Sequence, residues 1–244
     1  WNGNWRSDWE LDPRAPGAVR AIRLAASAQD FAARLTLRPL KGPVIHGANG
    51  VSQKAAGEGR ASHYVSFTRL AASGTLAVED REFAVEGLAW MDHEFFTHQL
   101  EPGQTGWDWL SLQFDDGTEL MLFRLRREDG AIDPHSAGTY VDARGAAQHL
   151  AATDFTLAPA GAVWKSPATG AVYPIEWRVL VPALDLDVRV RTRLPRQELV
   201  GKAQSAPAYW EGAMEVEGRK GGRTVQGSGY LEMTGYAGRV RFGE

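Results

Sequence analysis

An all-β fold is what this sequence predicts, and three observations predict it. Apolar and polar residues alternate with period two along most of the chain, the pattern of half-buried strands. Sustained helical periodicity is scarce. Turn signals fall between the alternating runs: Asp116-Gly117, Asp129-Gly130, Arg144-Gly145, Thr169-Gly170 and Lys220-Gly221-Gly222. Strands of this length and spacing belong to a sandwich or a barrel.

Taken in order, strands are expected at 20–26, 30–38, 63–71, 73–79 and 82–92. EPGQTG at 101–106 then breaks the pattern. Further strands are expected at 107–114, 118–125, 137–141, 153–157, 171–181, 184–193, 208–217 and 223–234. About eight strands suffice to close one barrel. The boundary near the break gives a first unit at 1–103 and a second at 104–244. The first holds fewer strands, so its opening strands are expected to lie outside this sequence. Pro182 and Pro195 sit at strand ends, where a missing N–H does least harm. A short helix is expected around 145–151.

Composition narrows the function. The chain has 244 residues, with 27 lysines and arginines against 30 acids and a net charge of −3. That balance gives no electrostatic case for nucleic acid or an anionic membrane. With no cysteine, disulfides and thiolate metal sites are excluded. No apolar run approaches the roughly 20 residues that span a bilayer. The chain opens at Trp1 without methionine, as a processed protein or a fragment would. Nine tryptophans, six tyrosines and nine phenylalanines point to an apolar pocket as readily as to a core.

The densest motif is VEGLAWMDHEFFTHQL at 85–100, echoed by VQGSGYLEMTGY at 225–236. Val85, Gly87, Trp90 and Asp92 align with Val225, Gly227, Tyr230 and Glu232. Residues two apart on a strand share a face, so each copy sets an aromatic beside a carboxylate. Two readings of Asp92 stay open. Facing an aromatic cavity it would be desolvated, kept protonated and able to donate a proton. At a strand end it would accept backbone hydrogen bonds and stay ionised.

Other candidates are weaker. His93 and Glu94 flank Asp92, but neighbours on a strand point to opposite faces, so a metal ion there would need a bend. His46, His63 and His98 would have to converge from elsewhere, and no metal is expected. His63 and Tyr64 take opposite faces of one strand. Trp107, Trp109, Ser111 and Gln113 share a face opposite Leu110, Leu112 and Phe114, as in a strand buried in a barrel wall. Tyr209-Trp210-Glu211 reads as strand, and Glu176 with Trp177 as strand pairing. GxSxG, a Walker loop and a helix-opening GxGxxG are absent, which removes support for a serine triad or nucleotide chemistry.

HGANGVSQK, ASHYVSFTRL with GTL at 74–76, GLAWMDHEFF, GWDWLSLQFDDGTELMLFRLR, SPATGAVYP, YWEGAMEVEG and GYLEMTGY together resemble the AttH-like, carotenoid 1,2-hydratase-related lipocalin-like family. The likeness runs from about Pro43 to Tyr236. It implies tandem lipocalin-like (calycin-type) β-barrel units, with an apolar, often isoprenoid, ligand at or near their junction. Better understood relatives add water across an isolated alkene, and fungal ones guide polyene cyclisations. Many bacterial members are exported and encoded with transporter components.

Carried over by position, the hydratase-type site falls on Trp90 and Asp92, where hydratases more often have tyrosine in place of Trp90. A histidine on the preceding strand corresponds to His63, and Glu94 stands where an asparagine-like residue is usual. The implied chemistry has Asp92 protonate the alkene, His63 orient and deprotonate the water, and Trp90 and Trp107 steady the cation. Each ring would contribute roughly 0.5–2 kcal/mol. Glu94, Tyr64, Tyr209 and Tyr230 complete the expected substrate-binding set. No cofactor is needed.

The reading is therefore a hydro-lyase, or a related isomerase or cyclase, acting on a hydrophobic isoprenoid or polyene-like molecule. Its rival is a non-catalytic carrier, periplasmic or exported and associated with an ABC transporter. A filled, purely structural module is the third.

Overall fold

Period-two alternation becomes extended backbone along most of the chain. The computed structural model describes residues 3–96, 100–201 and 208–238. The first strands are β1 (Arg6–Leu11), β2 (Val19–Ala28), β3 (Phe31–Pro39), β4 (Val44–Ile45), β5 (Ser52–Gln53), β6 (Ala61–Val78) and β7 (Arg81–Phe96). Then come β8 (Gln104–Phe114), β9 (Glu119–Arg127), β10 (Ala137–Val141), β11 (Ala147–Ala151), β12 (Thr156–Pro159) and β13 (Val163–Lys165). The last are β14 (Val172–Pro174), β15 (Glu176–Val181), β16 (Leu186–Arg191), β17 (Glu198–Leu199), β18 (Tyr209–Lys220) and β19 (Arg223–Met233). The helical content of the described residues is one 3-10 turn, Pro182–Leu184.

Several local expectations change. The helix expected around 145–151 is strand β11, which pairs along β10 from Ala137↔Ala151 to Val141↔Ala147. Cross-strand pairing there overrides the helix preference of its alanines. The two strands expected at 63–71 and 73–79 are one, β6. Gly74 makes that continuity possible: its φ is +153°, and a Cβ there would lie 2.0 Å from the Arg34 carbonyl oxygen. Without a side chain, β6 runs on against β3 with Gly74 opposite Leu35. Strand β1 was not expected at all.

The compact units are not the contiguous stretches 1–103 and 104–244. One comprises Trp1–Val44 and Val65–His93, the other Ile45–Tyr64 and Glu94–Glu244. The loop-and-strand segment 45–64 therefore belongs with the carboxy-terminal unit, and β6 and β7 contribute residues to both.

In the first unit, β1, β2, β3 and β6 form an antiparallel order, and β7 pairs with β6. Ile22, Leu37, Phe67 and Leu70 are its buried apolar cluster, with Leu35, Ala89 and Met91 packed against them.

In the second unit the antiparallel order is β11-β10-β9-β8-β19-β18-β16-β15-β12, with β17 on β18. Its interior is filled by side chains: Leu110, Leu112, Tyr173, Trp177, Val179, Val190, Trp210 and Leu231 are all essentially inaccessible. Each large side chain there contributes about 1.5–3 kcal/mol by leaving water. Asp108, in the middle of β8, is fully buried among cations. It accepts from Arg124 Nε at 2.9 Å and Nη2 at 2.6 Å, from Arg126 Nη1 at 2.6 Å and from the Tyr236 hydroxyl at 2.9 Å. Arg124 lies 4.9 Å from the Trp177 ring centre.

Candidate functional site

In the first unit, the face expected for Trp90 and Asp92 is shared. Trp90 Nε1 donates to Asp92 Oδ1 at 2.6 Å, and the Ser66 hydroxyl of β6 donates to the same oxygen. Met91 and Ala89, on the other side of β7, pack towards the apolar cluster, which fixes the direction of Trp90 and Asp92. Of the two readings left open for Asp92, its exposure favours the anchored acceptor over the desolvated acid. Its contacts are those of an anchored acceptor.

His63 does not share that face. On β6 the buried polar residues are Ser62, Ser66 and Thr68, with Tyr64 buried between them, whereas His63 is exposed. Its ring packs at a tilt of 32° against that of Phe95, ring centres 5.2 Å apart. Alternation thus sends it away from the face on which Ser66 reaches Asp92.

The second unit carries a more buried polar cluster. Its frame is the turn in HGANG: Gly47 has φ +83°, and a Cβ there would lie 2.1 Å from the Val51 carbonyl oxygen. Ala48 and Val51 bridge across this turn. His46 and Lys54, at either end, are thereby brought to the sheet. His46 is buried, its Nδ1 2.8 Å from Thr139 Oγ1 and its ring centre 4.3 Å from that of Tyr64. Burial first, then the charges of Lys54 and His149, push the His46 pKa down to about 3. This histidine is neutral. Tyr64, also buried, accepts from Trp109 Nε1 at 3.0 Å.

Lys54 Nζ lies 3.0 Å from Glu94 Oε1 and 3.8 Å from the centre of the Phe123 ring. Glu94 Oε1 also accepts from Ser62 Oγ at 2.5 Å. Burial lowers the Lys54 pKa, while Glu94 pulls it back up.

A third group lies on the face of β18, β19 and β8 away from the packed interior. Glu211 stands directly opposite Glu232, and Glu232 opposite Trp109. Trp107 Nε1 donates to Glu232 Oε1 at 2.9 Å, and the Tyr209 hydroxyl lies 3.4 Å from Glu211 Oε1. Desolvation raises the Glu211 pKa and that of Tyr209, and pushes Tyr230 up to about 12.

Three groupings of the expected residues result: Trp90 with Asp92, Tyr64 with Glu94 through Lys54, and Trp107 with Tyr209 and Tyr230 through Glu232 and Glu211. The sequence reading missed Lys54, Ser62, Ser66 and Thr139 altogether. Period two on β6 would have put both serines on the face of Tyr64, but Lys54 and Thr139 carry no local signal. Among the described residues no three His, Asp or Glu are grouped to hold a metal ion, and His98 lies outside those residues. Among the same residues no helix is long and apolar enough to cross a membrane.

A family model described as AttH-like matches residues 3–236. A relative named dehydratase asqC, from Emericella nidulans, is 24% identical over 217 residues, covering 87% of this chain and 60% of the relative. The chain thus spans less than two thirds of that protein. A crystal structure provisionally described as an AttH, from Nitrosomonas europaea, matches at TM-score 0.80 and 33% identity, over 91% of this chain and 67% of that one. Kievitone hydratase from Nectria haematococca matches at 0.76 and 18% identity, over 97% and 69%. At that identity it shows the fold alone, which is all-β and lipocalin-like as the alternation and motifs implied.

Proposed function

Because this chain belongs to the AttH-like family, we propose that it adds or removes water at an apolar, isoprenoid- or polyene-like small molecule, with Asp92 moving the proton and no cofactor taking part. The observation that carries the proposal is the pair of donors, Ser66 and Trp90, on one oxygen of Asp92. They fix a carboxylate beside an indole ring. In the dehydrating direction, the hydroxyl of a tertiary alcohol takes a proton from solvent and departs as water when the C–O bond breaks, leaving a cation. The Asp92 carboxylate then takes a proton from the adjacent carbon and the alkene forms. Hydration is the reverse, with the carboxyl group giving that proton back and water capturing the cation. The Trp90 π face steadies the cation by roughly 0.5–2 kcal/mol. The dehydratase named among the relatives supports this class of chemistry. His63, on the other face of β6, has no part in it.

One observation favours the carrier reading instead. The face of the second unit that carries Trp107, Tyr209 and Tyr230 beside Glu211 and Glu232 offers aromatic rings for a ligand to lie on, which binding alone can use without a proton transfer.

The test is turnover of a panel of terpenoid alkenes and tertiary alcohols in ¹⁸O-water, read by mass spectrometry, for wild type and Asp92→Asn. Wild type is expected to incorporate label, and the variant to lose about 10²–10⁴-fold in rate. Equal turnover by the variant would falsify the role of Asp92. Tight binding by both proteins with no product would put the carrier in its place.

A further inference from the structure

Lys54 is a lysine in unusual company. Its amine is 3.0 Å from Glu94 Oε1, 3.8 Å from the Phe123 ring centre and 5.6 Å from that of Tyr64. The side chain is 13% exposed, and that of Glu94 26%, so the pair is largely withdrawn from water yet open on the carboxylate side. Neutral His46 and Tyr64 line the same cluster. A surface ion pair needs none of this: exposed lysines reach carboxylates in water, for a gain of little consequence.

We propose that Lys54 is an imine-forming amine that captures apolar aldehydes, with Glu94 as its proton partner and counter-ion. The geometry supplies each requirement. Proton transfer across the 3.0 Å contact converts ammonium and carboxylate into amine and carboxylic acid. The nitrogen lone pair forms the C–N bond to the carbonyl carbon, and the aldehyde oxygen becomes a hydroxyl by taking the Glu94 proton. Glu94 takes one hydrogen from nitrogen and passes it to that hydroxyl, which leaves as water when the C–O bond breaks, and the remaining nitrogen hydrogen goes to solvent as the neutral C=N forms. Protonation of the imine restores a cation where the ammonium stood, facing the same carboxylate and the same two rings. The rings select an apolar tail for the aldehyde. Ser62 Oγ, 2.5 Å from Glu94 Oε1, holds the carboxylate in place throughout.

Burial lowers the Lys54 pKa, as a nucleophilic amine requires near neutrality. The inference stands independently of the reading given for Asp92.

The experiment treats the full chain with cinnamaldehyde and sodium cyanoborohydride near neutral pH, followed by intact-mass analysis and peptide mapping. Reduction traps the imine as a stable secondary amine. Lys54 is expected to be labelled several-fold faster than exposed Lys165, because burial lowers the pKa of its amine and the adjoining rings hold the apolar tail of the aldehyde. Glu94→Gln should slow labelling at Lys54 while leaving Lys165 unchanged, and Lys54→Arg should abolish the fast phase. Labelling of Lys54 at or below the rate of Lys165 in the wild-type chain overturns the proposal, whatever the variants do.

Discussion

Replacing His46 by glutamine removes a titrating ring from a site where protonation is strongly opposed, while keeping a group able to bond Thr139. In the folded chain the ring is 1% exposed and its pKa falls to about 3 from an ordinary 6.5. In the unfolded chain it protonates near the ordinary value. Acid therefore favours the unfolded state: the contribution of neutral His46 is intact above the ordinary value and is lost as pH falls towards about 3. Each unit in that window is worth about 1.4 kcal/mol, so the whole gap sets a ceiling of about 5 kcal/mol. Urea unfolding, stepped from about pH 7.5 to about pH 4, measures this directly. Every other group is common to the two proteins and cancels in the difference. The difference in stability between wild type and His46→Gln should shift against wild type by about 1.4 kcal/mol per unit below the ordinary histidine value. Parallel curves for the two proteins would refute the argument, because they would mean that His46 protonates as easily folded as unfolded.

Two further substitutions probe the frame. Asp108→Asn leaves Arg124 and Arg126 buried against a neutral partner and should cost about 3–5 kcal/mol, read as a lower urea midpoint. Gly74→Ala forces a Cβ towards the Arg34 carbonyl at an unfavourable φ and should cost about 2 kcal/mol or more, with near-ultraviolet circular dichroism reporting whether β3 and β6 still pair.

Strand parity was the most dependable signal in the sequence. It put Trp90 and Asp92 on one face, where an indole N–H now meets the carboxylate, and it separated His63 from Tyr64. It also divided β8 into Leu110, Leu112 and Phe114 on one side and Trp107, Trp109 and Ser111 on the other. Whether a face is dry is another matter, since that depends on what lies above it. The aromatic neighbour of Asp92 leaves a desolvated acid and an anchored acceptor both open, and the residue is exposed. Lys54, and the partner of His46, escape the sequence for a related reason. They gain their partners across long stretches of chain, His46 from Thr139 and Lys54 from Glu94 and Phe123. Nothing local in HGANGVSQK distinguishes an anchored turn from an idle one. The helix expected near His149 failed because alanine-rich segments follow whichever pairing the sheet offers.

The division of β8 and β19 into a sealed side and an aromatic-acidic side has a consequence for how such a protein can diversify. Leu110, Leu112, Leu231 and Met233 are locked into the interior, whereas Trp107, Trp109, Tyr230 and Glu232 project the other way from the same two strands. A combinatorial library confined to Trp107, Tyr230 and Glu232, with Trp109 kept for its bond to buried Tyr64, samples new ligand preferences with little loss of folded protein, because no interior volume changes. Randomising the four interior positions instead spends its diversity on chains that fail to mature. Natural drift faces the same asymmetry, so paralogues with different cargo or substrates should differ at alternate residues along these strands.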